Sequence, residues 1–286
     1  MGALKPVMTG ALGAALSLLA SIGMADGAPI IMTGAGSPAA IQPQVDAFRT
    51  LLGPLNPSTA GSFGTGRREI NWDGVPGALS APNAMPAGFF NTTSPRGVRF
   101  TTPGTGFQVS ADAASGIAAE FGNIDPSYPG LFRTFSPQRL FTPLGSNVTD
   151  VNFLIPGSST AALTRGFGVV FTDVDLANTT SLTFFDASDT PLGTFHVPAF
   201  PGNETLSFLG VDFGANLVSR VRIVSGNAAL GGPESIAADR VVMDDLIYGE
   251  PVATIAVPEP ASLALFGAGL LGLCAIRRWL SRPRAA

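Results

Sequence analysis

A charge-free block of sixteen residues, Ala261 to Ile276, sets the strongest limit on how this chain can be arranged. Leu263, Leu265, Phe266, Leu270, Leu271, Leu273 and Ile276 supply its apolar bulk. As a helix rising ~1.5 Å per residue, the block spans roughly 24 Å, short of the ~30 Å bilayer core. Trp279 and Leu280 extend the apolar part, and Trp suits the lipid interface. Each large apolar residue favours insertion by about 0.3–0.6 kcal/mol, so the margin is narrow but favourable. The composition predicts one transmembrane helix over 261–280. Pro258 and Pro260 close its upstream end, and Arg277, Arg278, Arg282 and Arg284 follow it. Arginines stay in the cytoplasm, which places everything before Pro258 on the far side of the membrane. Ala264, Ala268 and Gly272 recur every four residues and offer a stripe where a second helix could approach.

The tripeptide Pro258-Glu259-Pro260, the single span and the arginine cluster together resemble the PEP-CTERM sorting signal of bacterial exported proteins, over 251–286. The resemblance implies recognition at the tripeptide by an exosortase-type membrane transpeptidase, then cleavage and surface delivery. The alternative is an ordinary single-span anchor. The other end of the chain agrees with export. Lys5 precedes an apolar run from Ala11 to Ile22, and Gly23-Met24-Ala25 sets small residues where a signal peptidase reads. Residues 1–25 are expected to be a signal peptide, handled by the Sec machinery and cut after Ala25. The expected localisation is an inner-membrane-anchored intermediate with a periplasmic domain, then the cell surface or extracellular matrix.

Between these ends lie about 230 residues, enough for one large core. With 35 Gly and 24 Pro, the chain is too rich in helix breakers for a helical protein and too aperiodic for collagen. Residues 26–260 hold eleven arginines, no lysine and all twenty acidic residues, a net charge of −9. Such a surface repels nucleic acid and suits divalent cations or neutral polymers such as polysaccharide. Cys274 is the single cysteine and lies in the apolar block, so no disulfide supports the exported part. One histidine and no second cysteine exclude the usual His/Cys zinc sites.

Residues 26–62 read as a Gly/Pro-rich lead-in with one short helix over Gln44–Leu52, docked loosely on a main domain at 63–250. Strands are expected at 67–73, 98–101, 107–110 and from Asn147 onward, where Val151, Phe153 and Ile155 alternate with polar neighbours. Leu182–Phe185 and Leu192–Val197 form the best hairpin signal. In 217–223, Leu217, Val221 and Ile223 point inward while Arg220 and Arg222 point outward. Ten or so short strands predict an all-β fold, an antiparallel β-sandwich of jelly-roll type.

The stretches Gly166-Phe167-Gly168-Val169-Val170-Phe171-Thr172-Asp173-Val174-Asp175, Phe184-Phe185-Asp186 and Val242-Met243-Asp244-Asp245-Leu246-Ile247-Tyr248 resemble passenger domains found ahead of PEP-CTERM tails. The resemblance implies a jelly-roll module akin to carbohydrate-binding ones. Asp173 and Asp175 follow a core strand two residues apart, and Asp244-Asp245 interrupt the last one. Aspartates in apolar strands are costly unless paired or bound to metal, so these four are candidate ligands of a structural Ca²⁺. The alternative is that one caps a loop or pairs with Arg220 or Arg222. Trp72 and Tyr128 are candidate sugar-stacking platforms, although twenty Phe against two Trp and two Tyr favour core duty for aromatics. His196 lacks a nucleophile elbow around it, and no glutamate in an expected strand has a second acid two residues away, as a facing glycosidase pair on one strand needs. The expected function is a non-catalytic binding module associated with carbohydrate or exopolysaccharide. The alternatives are a secreted carboxylate-dependent hydrolase and a purely structural coat protein.

Overall fold

The computed structural model describes residues 27–254. The expected signal peptide, the Pro258-Glu259-Pro260 motif, the span over 261–280 and the arginine tail lie outside the described residues. Among the described residues, no helix is long and apolar enough to cross a membrane.

The chain opens with β1 (Ile30–Gly36) and α1 (Pro38–Leu52). Ser37 caps this helix by accepting from the Ala40 backbone N–H, Pro38 occupies its first turn, and Gly53 ends it at φ 101°. Then come β2 (Arg67–Ile70), the single turn α2 (Phe89–Thr92), β3 (Val98–Thr101), β4 (Gly106–Val109) and β5 (Phe141–Leu144). The clear alternation from Asn147 becomes β6 (Val148–Phe153), β7 (Ala162–Leu163) and β8 (Gly166–Thr172). The expected hairpin is β9 (Ser181–Phe185) with β10 (Pro191–His196). The described chain closes with β11 (Leu206–Asp212), β12 (Arg220–Val224), β13 (Val242–Gly249) and β14 (Val252–Ala253).

All the strand pairings within the sheets are antiparallel. The larger sheet runs β1-β11-β8-β13-β5-β4, with β2 also on β13. The smaller runs β10-β9-β12-β6-β3, and β14 pairs with β7. One apolar core lies between the two sheets. Phe167, Val169, Phe171, Leu209 and Val211 from the first meet Val151, Phe153, Leu182, Val221 and Ile223 from the second. Phe153 lies 6.1 Å from Phe167 and 5.5 Å from Tyr248, centroid to centroid, across this gap.

The second face of the larger sheet is covered as well, which is why β8, β11 and β13 are buried along their whole length. Helix α1 lays Ile41, Val45, Phe48 and Leu52 on Val170, Leu206, Phe208 and Ile247. Beside it Phe121, Tyr128, Phe132 and Leu140 pack on Val242. The loosely docked lead-in expected from sequence is therefore corrected. Residues 30–52 supply an edge strand in full register with β11 and the helix that closes a second core. The helix also starts six residues earlier than expected, because Ser37-Pro38 is a good start and Pro43 is tolerated within it. In the smaller sheet, Val221 and Ile223 point inward as expected, but Val218, not Leu217, joins the core. The strand begins only at Arg220, and Val218 is placed by a separate bridge to Thr164.

Candidate functional site

The four aspartates proposed as one calcium set are divided by the fold. Asp173 and Asp175 stand just past the end of β8, where the chain turns at Asp173 with φ 69°. They converge with Glu234, from the loop that precedes β13, so that one carboxylate oxygen of each lies within 4.8 Å of the others. Asp173 is 0% exposed, and neither of its carboxylate oxygens has a hydrogen-bond partner. Burial first, then a carboxyl–carboxylate contact with Glu234 that favours a proton on Asp173, and then the charges of Glu234, Asp175 and Asp239 push its pKa up to about 9. Burial likewise raises Glu234 and Asp239. Asp239 shapes the site from behind. Its carboxylate accepts from the Asp175 and Leu176 backbone N–H groups at 3.2 and 3.4 Å and from the Thr179 hydroxyl. Asp175 in turn accepts from the Gly202 N–H at 2.8 Å. None of these four acids forms a salt bridge among the described residues.

Asp244 and Asp245 do not join that cluster, which corrects the expected ligand set. The pairing of β13 with β8 shifts register between Met243 and Leu246. This bulge lets two successive residues, which normally point to opposite faces, engage one loop. Asp244 accepts from the Ser136 N–H at 3.3 Å and its hydroxyl at 3.2 Å, and from the Phe135 N–H. Asp245 accepts from the Ser136 hydroxyl at 2.6 Å and the Arg49 guanidinium at 3.0 Å. Burial raises the pKa of both, and at Asp244 the neighbouring Asp245 charge adds to it. The pair fastens the 135–136 loop and α1 to the last long strand. Arg49 also holds Glu69 at 3.0 Å, at the side of a polar cavity of ≈ 380 Å³ bordered by Asn56, Asn71, Arg96 and Ser136.

Trp72 and Tyr128 are 0% exposed, so the stacking role expected of them is corrected: neither presents a ring face to solvent. Trp72 stacks on Phe141 at 4.1 Å with planes 3° apart and donates its indole N–H to the Asp244 carbonyl at 2.7 Å. The Tyr128 hydroxyl donates to the Gly232 carbonyl at 2.7 Å and so pins the loop that carries Glu234. Sequence reasoning missed Glu234 because it is an isolated acid in a Gly-rich loop with no period. Its only local signal is the absence of a basic neighbour ahead of Arg240.

The smaller sheet leaves its outer face open. Two rows, polar except for Phe185, cross it at right angles to the strands. One is Arg99, Asn152, Arg220 and Phe185; the other is Thr101, Asp150, Arg222, Thr183 and Thr194. Asp150 holds Arg220 at 2.7 Å and Arg222 at 2.9 Å, and the Arg220 guanidinium lies 3.7 Å over the Phe185 ring. Thr183 and Thr194 share a hydrogen bond of 2.9 Å. His196 is exposed on the edge strand of the same sheet, as the alternation with Phe195 and Val197 implies.

Comparison with known proteins adds one firm match. No curated protein sequence matches the chain. Among solved structures it is similar to a mutant of a family 29 carbohydrate-binding module, at 12% identity, with 38% of this chain and 69% of that one covered and a TM-score of 0.23. It is also similar to the enzymatically active domain of tailspike protein 4 of bacteriophage CBA120, at 15% identity, with 57% and 20% covered and a TM-score of 0.26. Superpositions at such scores do not define the fold. Residues 256–278, in contrast, match the model of the PEP-CTERM protein-sorting motif. That motif implies export, a membrane-anchored sorting intermediate and processing by exosortase, a membrane enzyme. The chain thus carries a PEP-CTERM sorting motif behind a mostly-β, antiparallel passenger.

Proposed function

We propose that this is an exported protein of the cell surface or extracellular matrix, whose passenger is a non-catalytic module that binds carbohydrate or exopolysaccharide. The observation that carries the reading is the open face of the smaller sheet. The larger sheet is covered on both sides, whereas this face presents two rows of guanidinium, hydroxyl, carboxamide and carboxylate groups. Planar guanidiniums fixed by Asp150 are pre-organised donors, and the hydroxyls both give and accept, which suits a hydroxylated neutral chain. A shallow depression of ≈ 640 Å³, lined by Pro103, Val148 and Val224 as well as by Thr101, Asp150 and Arg222, gives such a chain an apolar floor with polar groups at its side.

A jelly roll is the fold reading we favour. Its support is the strand order: eight strands from β5 onward, leaving out the short β7 and β14 that pair with each other, fall into two four-stranded sets, β5-β13-β8-β11 and β6-β12-β9-β10. A signal peptide over 1–25 and a transmembrane helix over 261–280 complete the proposed layout.

The test is a glycan array with the full chain in detergent, run beside a reducing-sugar assay. The expected result is binding without sugar release, and a drop in affinity of about tenfold or more when Arg222→Ala is combined with Asn152→Ala, each lost charged or polar contact being worth about 1–3 kcal/mol. No glycan bound, or sugar released, overturns the reading. The sorting step has its own test. Replacing Pro258, Glu259 and Pro260 with alanine, in a host that contains an exosortase, leaves the C-terminal segment attached and the protein in the membrane fraction. Mass spectrometry of the chain's two ends measures this; normal processing of the variant is the contrary outcome.

A further inference from the structure

We propose that Asp173, Asp175 and Glu234 bind a divalent cation of calcium type, which clips the loop ahead of β13 to the end of β8. The argument begins with an unusual carboxylate. Asp173 is fully buried, yet neither oxygen meets a donor. A buried carboxylate in that state costs several kcal/mol unless a proton or a cation neutralises it. No arginine does so here: none of the salt bridges among the described residues reaches Asp173, Asp175, Glu234 or Asp239. The nearest guanidinium along the loop, that of Arg240, is spent on the Pro233 and Ala229 carbonyls.

The geometry suits a cation of a particular size. Oxygens around Ca²⁺ sit at about 2.3–2.6 Å, so two ligands of one ion are at most about 5 Å apart. The three carboxylates already lie within 4.8 Å of one another. Oxygen is the sole donor type in the cluster, which favours a hard ion over zinc or copper. Up to three bidentate carboxylates from two segments, with water completing the shell, match the adaptable coordination of calcium better than the strict octahedron of magnesium. Asp239 and Tyr128 supply the support such a site needs. The first orders the Asp175 turn through three donors, and the second holds the Gly232 carbonyl beside Glu234. The site lies apart from the polar sheet face, and the inference holds whether or not that face binds a glycan.

The experiment uses the full chain in detergent, stripped with EDTA and titrated with calcium chloride alone. Extracellular modules bind calcium at about 10⁻⁴–10⁻³ M, so about 10 mM Ca²⁺ approaches saturation. The expected result is heat of binding and a rise in melting temperature of about 5–10 °C, with a smaller rise in magnesium chloride. Asp173→Asn and Glu234→Gln each weaken calcium binding by tenfold or more, while Asp244→Asn leaves the calcium response in place. Glu234 sits on a surface loop, so its variant stays informative even if the buried Asp173 variant folds poorly. Neither heat nor a rise at 10 mM Ca²⁺ overturns the proposal, and so does an undiminished response in Glu234→Gln.

Discussion

Glu250→Ala is expected to lower the stability of the folded chain by about 3–5 kcal/mol, the cost of leaving one member of a buried ion pair without the other. Arg68 and Glu250 both have side chains 1% exposed. The guanidinium donates to Glu250 twice, at 2.7 and 2.9 Å. It then spends its remaining N–H groups on the Pro57, Thr59, Gly61 and Pro95 carbonyls, at 2.6 to 3.3 Å. Glu250 also accepts from the Asn56 amide at 2.8 Å and the Phe63 N–H at 3.2 Å. This one pair therefore ties the 54–63 loop to β2 and to the end of β13. Arg68→Lys should not rescue the fold, because an ammonium cannot reproduce the planar fork that reaches four carbonyls and a carboxylate at once. Replacing both partners with apolar residues should also fall short of the native stability. In many buried pairs that exchange is neutral, but here it orphans the loop carbonyls. Urea denaturation of the three variants measures the effect. A loss under about 1 kcal/mol for Glu250→Ala would mean that the pair is solvated in practice.

The second large effect is expected at the seat of α1. Phe48→Ala should cost about 3–5 kcal/mol, as for other large aromatic truncations in a core. The ring rests on paired glycines: Gly168 of β8 and Gly210 of β11 are directly opposite in the ladder. A Cβ on either would come within 2.8 Å of the ring. Gly168→Ala alone should therefore destabilise by about 1–3 kcal/mol through overpacking. In the double variant the added methyl meets space vacated by the ring, so the two costs should not add. A coupling of about 0.5–3 kcal/mol in a double-mutant cycle is the expected reading. Strict additivity would show that α1 does not press on the sheet at this point, and would return residues 30–52 to the loosely held lead-in that composition suggests.

That helix shows where sequence reading stops. The spacing of Val45, Phe48, Leu51 and Leu52 is visible as a helical face, and Gly166 and Gly168 are visible as thin places on a strand. Nothing local says that the one fills the other, because the glycines of β8 and β11 become neighbours only through the ladder. The same holds for the candidate metal centre. Asp173 and Asp175 are legible as acids at the end of an apolar run, and Asp244-Asp245 as acids inside one. A bulge in β13 then turns the second pair toward Ser136 and Arg49, while a loop without periodicity delivers Glu234 to the first. Trp72 and Tyr128 were ambiguous in the sequence for a related reason: a ring's chemistry is the same in a core and on a platform, and only its 0% exposure decides between them.

What the sequence determined by itself rests on interactions that are local along the chain or depend on composition. The sorting motif, the alternation of β6, β9 and β12, and the acidic balance of the exported part belong to this class, since a two-residue period or a charge count needs no partner to be read. Tertiary structure decided the rest: which sheet face is covered, which carboxylates converge, and which arginine is buried. Each of these depends on residues far apart in the chain meeting in a dry interior, where an unpaired charge or a single added methyl costs as much as the fold can spare.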